Sequence, residues 1–114
     1  MVKSISNHFL YAAEFGFSGN LVILQEMLSS GAQIDARDHD GRTALILTVR
    51  RACQMPRSRR RSLFQVMSAL LAKHANVNCL DNRGLGALGW SILYGREDIA
   101  EFLLAHGAGQ ELRN

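Results

Sequence analysis

Covalent or acid–base chemistry needs nucleophiles, bases or metal ligands that converge, so the histidines and cysteines come first. His8, His39, His74 and His106 stand at unrelated points of the chain. Neither Cys53 nor Cys79 has a histidine three or four residues away, where a helix would bring a base beside a thiol. No Cys-x-x-Cys or His-Glu-x-x-His pair occurs, so metal-ligand spacing is absent. "DHDG" (38–41) starts like a calcium loop, but the remaining acidic ligands do not follow, and a turn is the better reading. "GLGALG" (84–89) lacks the glycine spacing and the following Lys of a phosphate-cradling loop. No catalytic, metal or cofactor residue is therefore assigned, and the protein is not expected to be an enzyme.

The strongest chemical character is basic. "RRACQMPRSRRRS" (50–62) holds six of the thirteen Lys and Arg residues and no acid. Without it the chain has seven basic residues against ten acidic ones, a balance of −3 where the whole is +3. The basicity is thus local, and a generally cationic nucleic-acid-binding domain is not indicated. Four readings of the stretch stay open: a solvated extension, a site for an anionic partner, a nuclear address in "PRSRRR", and a basophilic kinase site at Ser62. For the anionic partner, which includes nucleic acid, the candidates are Arg57, Arg59, Arg60 and Arg61. No aromatics are interleaved with these arginines, which argues against sequence reading.

The elements that must position such residues show a repeat. Three stretches align: 7–35, then 38–51 resuming at 63–78, then 81–109. Each has a short apolar segment, a turn, a longer amphipathic segment and a Gly-Ala or His-Ala ending. Leu21, Leu24, Met27 and Leu28 carry the helical stripe, as do Val66, Met67, Leu70 and Leu71, then Ile99, Phe102 and Leu103. Gly31, His74 and Gly107 fall where a helix ends on a left-handed residue, at a cost of about 1 kcal/mol for the histidine. Asp38 to Gly41 and Asp81 to Gly84 form Asp-x-x-Gly turns, and Thr43 stands as an N-cap.

"DHDGRTAL", "LLAKHANVN" and "LLAHGAG" resemble the ankyrin repeat, a turn followed by two antiparallel helices. The resemblance covers about residues 7–109. It implies an all-α solenoid of one domain, with repeats at about 5–37, 38–80 (insertion about 51–62) and 81–114. The family's signature Pro and His become Ala44 and Ile46 in the middle repeat, and its Thr, Pro and His become Gly86, Ala87 and Gly89 in the last. Gly86 and Gly89, counted as helix interior, would each cost about 0.5–1 kcal/mol, with Trp90 filling the space they leave. Three repeats are near the minimum for a stable stack.

Spacing between matched positions leaves ten extra residues between the two helices of the middle repeat. The stripe Leu45, Val49, Ala52 and Cys53 extends its first helix until Pro56 stops it. The next helix starts either at a Ser58 cap or later, near Ser62. Cys53 is expected to be packed or half exposed.

The resemblance further implies a protein-binding module, an adaptor, scaffold or inhibitor, that uses a concave groove of turn tips and first helices. Carried over position by position, the contacts are His39, Asp40 and Arg42, then Asn82, Arg83 and Leu85 at the tips. On the first helices they are Glu14, Phe15, Arg50, Arg51, Leu93 and Tyr94, with Lys3, Ser4 and Ser6 at a first tip that lacks the Asp-x-x-Gly turn. The expected partner is another protein, with nucleic acid or another polyanion as the alternative. The N-terminus has no apolar h-region and no run reaches membrane-spanning length, so no membrane is expected. Two cysteines make no disulfide framework, and the expected setting is reducing: cytoplasmic, or nuclear, with a chain that is monomeric on its own.

Overall fold

The computed structural model describes residues 20–56 and 61–109, without the side chains of residues 20–23 and 62. These hold five helices: α1 Asn20–Ser29, α2 Ala44–Gln54, α3 Arg61–Ala72, α4 Ala87–Leu93 and α5 Glu97–Ala105. Among the described residues the remainder is turn and irregular chain, with no strand. Helix α2 lies against both α3 and α4, α4 against α5, and α1 against α3. No helix among the described residues is long and apolar enough to cross a membrane.

The place of α2 between two neighbours explains its composition. Residues 44 to 49 are all buried, as are Ala52 and Cys53, because successive faces of the helix meet α3 and α4. Leu24 of α1, Leu63, Val66, Met67 and Leu70 of α3, Trp90 of α4, and Ile99 and Leu103 of α5 complete one core. Cys53 is fully packed within it.

Four helices end alike, α4 with the Arg96 amide donating to the Ser91 carbonyl at 2.9 Å across Gly95 at φ 68°. After α1, α3 and α5 the amides of Ala32, Ala75 and Ala108 donate to the carbonyls of Met27, Leu70 and Leu103, each at 3.0 Å. This six-residue closure needs a left-handed residue just before the donor. Gly31 supplies it at φ 109° and Gly107 at φ 96°, while His74 is held there at φ 69°.

The starts differ. Thr43 caps α2 by accepting the Ile46 amide at 3.4 Å. Gly86 occupies the same place before α4 and has no side chain to offer. Gly86 is therefore a cap in extended conformation (φ −99°, ψ −173°), and the helix-interior cost expected for it does not apply. A Cβ at Gly86 would stand 2.9 Å from the Cys79 carbonyl oxygen and 3.2 Å from Leu80 Cδ2. A Cβ at Gly89 would stand 3.1 Å from Leu85 Cδ2. The Cys79 backbone and Leu80 crowd Gly86, and Leu85 crowds Gly89.

The insertion lengthens both helices that flank it. α2 has eleven residues against seven in α4, and α3 twelve against nine in α5. α2 stops at Met55, whose extended backbone (φ −100°, ψ 148°) is what a residue before proline requires. Helix α3 is described from Arg61 onward; Arg57, Ser58, Arg59 and Arg60, and with them the choice between the two expected starts, lie outside the described residues.

Candidate functional site

Two turn tips stand side by side and are built identically. In each, the aspartate side chain accepts two amides two and four residues on: Asp38 takes Asp40 and Arg42 at 2.9 Å, and Asp81 takes Arg83 at 2.9 and Leu85 at 3.0 Å. Gly41 (φ 76°) and Gly84 (φ 81°) close the turns onto the Asp38 and Asp81 carbonyls at 2.9 Å. The tips are then tied together by Asn82. Its backbone amide donates to the Asp40 carbonyl at 2.9 Å and its side-chain amide to the His39 carbonyl at 3.1 Å. Asn82 also lies where a Cβ on Gly41 would have to go, so glycine is required there on two counts.

Beneath the tips lies an aromatic–arginine layer. The Trp90 indole N–H donates to Asp81 Oδ2 at 2.9 Å. The Arg42 guanidinium sits 5.5 Å from the Trp90 ring centroid and that of Arg50 4.8 Å from it. Arg42 also reaches Asp40 at 3.2 Å and Asp81 at 3.6 Å. Tyr94 stacks along Trp90 at 6.1 Å, and its hydroxyl accepts a long hydrogen bond from Gln54 at 3.5 Å. Burial pushes the Asp81 carboxyl up, but the Leu85 amide, the Trp90 indole, the Arg83 amide and the Arg42 charge outweigh it. Asp81 is held below the ordinary 3.8.

This layer sorts the residues expected at the groove. Arg42 is turned inward, its side chain only 14% exposed, and braces the tips. Leu85 is half-buried against the core, and the Asn82 side chain is spent on the neighbouring tip. His39, Asp40, Arg83, Leu93 and Tyr94 open to solvent to differing degrees, and Arg50 and Arg51 are half-buried on α2. Glu14 and Phe15, like Lys3, Ser4 and Ser6, lie outside the described residues, so the first-helix contacts are described only from Arg50 on.

Two features were not singled out from the sequence. Trp90 is core, as expected, but its second part, carrying both arginines and Tyr94, was not read from the sequence. A second surface lies on the far side of α4: a hollow of about 380 Å³ lined chiefly by Val77, Leu80, Leu88 and Ile92. Ile92 is 64% exposed and Leu80 50%. The signal was present, since Leu88 and Ile92 occupy the places that Leu45 and Val49 fill in α2.

The remaining reactive residues stay apart. His39 is at a tip, and His74 and His106 sit at helix ends, His106 hydrogen-bonding the Phe102 carbonyl at 2.8 Å through Nδ1. Among the described residues no three His, Cys, Asp or Glu side chains gather as a metal ion would need. Cys53 and Cys79 are free thiols.

A family model described as ankyrin repeats, three copies, matches residues 9–114. Neurogenic locus notch homolog protein 1 of Mus musculus is 34% identical over 93 residues, 81% of this chain and 3% of that protein. Its Homo sapiens counterpart is 36% identical over 81 residues, 71% of this chain and 3% of that protein. The ankyrin repeat and KH domain-containing protein mask-1 of Caenorhabditis elegans is 33% identical over 110 residues, 96% of this chain and 4% of that protein. The chain thus spans only a few per cent of the length of these relatives. Ankyrin repeats generally mediate protein–protein interactions. With helix pairs, bonded Asp-x-x-Gly tips and a match across nearly the whole sequence, the chain belongs to the ankyrin repeat family.

Proposed function

We propose that this protein is an adaptor or inhibitor that holds a partner protein in a groove formed by the 38–42 and 81–85 tips and by α2 and α4. It acts by tethering or occlusion, without chemistry of its own. The supporting observation is the pairing of a rigid base with open anchors. The tips are locked through Asn82 and Asp81, while Leu93 (65% exposed) and Tyr94 (40% exposed) are open to solvent at the C-terminal end of α4. Aromatic anchors on a preorganised surface are where binding energy concentrates, because little ordering is left to do on association. The setting that fits two free thiols is reducing, cytoplasmic or nuclear.

The test is affinity capture from nuclease-treated lysate, comparing the parent with a folded Leu93→Ala/Tyr94→Ala variant. Loss of a retained protein, or a drop of about 2 kcal/mol in its affinity, supports the groove. Unchanged capture refutes it.

One observation favours a second reading, polyanion binding at Arg57, Arg59, Arg60 and Arg61 with Ser62 as a control point. Arg61 is the first described residue of α3 and no acid stands in the turn it opens, so this end of the helix is cationic. Salt separates the readings: polyanion binding falls steeply with ionic strength, and aromatic anchoring responds far less.

A further inference from the structure

The charges of the tip-and-helix face are unevenly matched. Of its three acids, Asp38 accepts two tip amides, and Asp40 and Asp81 are both engaged by Arg42, with His39 adding a 3.5 Å contact to Asp40. Arg50 has no ion pair among the described residues, and its Nε is buried without a hydrogen-bond partner. Its guanidinium is fixed over Trp90 by ring contact alone. Such a group is oriented and partly stripped of water, and its hydrogen-bonding capacity is unspent. Arg83 stands exposed on the adjoining tip, also without an ion pair among the described residues. Leu93 and Tyr94 supply apolar surface on the same helix as Trp90.

We propose that Arg50 is the carboxylate-reading position of this face, and that the partner presents an acidic segment with an apolar residue beside its carboxylate. The carboxylate bonds the Arg50 guanidinium, Arg83 adds long-range attraction, and the apolar neighbour covers Leu93 and Tyr94. A guanidinium already held flat on an indole loses little freedom when it binds, so geometry and charge act together. This inference rests on the groove reading above and adds the chemistry of what the groove takes.

The test is calorimetric titration with a short peptide carrying a Glu-Glu-Leu-Glu core, against its Gln-Gln-Leu-Gln counterpart and a single-stranded oligonucleotide. Trp90, the only tryptophan in the chain, serves as an optical second readout. The parent should bind the acidic peptide and not the amide one. Arg50→Gln should weaken binding roughly ten-fold or more, the loss of a charge-assisted hydrogen bond, with the helical circular-dichroism signal retained. Arg50→Lys keeps the charge without the planar stack and should lose part of the affinity, which guards against misfolding of the first variant. Arg61→Gln should bind as the parent does.

Equal binding of both peptides, or by Arg50→Gln and the parent, overturns the inference. So does a loss in Arg61→Gln alone, or a response only to the oligonucleotide. A captured cellular partner lost by Leu93→Ala/Tyr94→Ala but held by Arg50→Gln overturns the carboxylate role and leaves the groove standing. Capture unaffected by either variant removes the groove itself.

Discussion

The Asp81 side chain joins four groups: two amides of its turn, the Trp90 indole and the Arg42 guanidinium. One of its oxygens shapes its own turn and the other receives Trp90 and faces Arg42. Asp81→Asn keeps the shape and removes the charge, and should lower stability by about 1–3 kcal/mol in urea denaturation at neutral pH. The pH dependence has a definite sign. A carboxyl held below 3.8 in the folded state contributes fully above that value and loses its contribution as pH falls through the folded pKa. Acid denaturation should therefore be shallower in Asp81→Asn, after allowing for its lower plateau. His74 is a simpler case. Its left-handed backbone suits glycine, and His74→Gly should gain about 1 kcal/mol, read as a rise in melting temperature.

Gly86 shows what restoring a family signature can and cannot do. A Cβ there must displace the Cys79 carbonyl or Leu80, and alanine is the poorer N-cap, so Gly86→Ala should cost about 1–3 kcal/mol. Equal or higher stability in a thermal melt would show that the 79–80 segment gives way. Here the limits of the sequence are physical. Turns, caps and helix ends depend on neighbours within about five residues, and so Asp38, Thr43, Gly31 and His74 could be assigned from local pattern. The Arg42–Asp81–Trp90–Arg50 layer joins residues up to 48 positions apart, and no local rule places an indole between two guanidinium groups. Gly86 was misread as helix interior when it is the cap, and the atom that excludes a side chain there belongs to the preceding loop. Leu85, expected as an open tip contact, is turned by Gly89 into cover for α4.

Because α2 packs against both α3 and α4, the stack should unfold as one cooperative body. Leu45→Ala would leave a cavity between elements on both sides of it, at a cost of about 3 kcal/mol. Its urea transition should stay single, with circular dichroism and Trp90 emission coincident. Separated transitions would show that the last helix pair melts by itself.

Three long-range bonds give the molecule its spacing. Arg37 Nη1 donates to the Leu80 carbonyl at 2.9 Å, Asn82 Nδ2 to that of His39, and Arg96 Nε to that of Cys53 at 3.0 Å. Each joins positions 43 apart, and none involves the segment between Gln54 and Arg61. Chain length in that segment is therefore decoupled from the pitch of the stack. Doubling such a connection adds only about 0.6 kcal/mol of closure entropy. The same scaffold can thus receive a grafted loop, an epitope or a whole folded insert at this corner while the opposite face keeps its register.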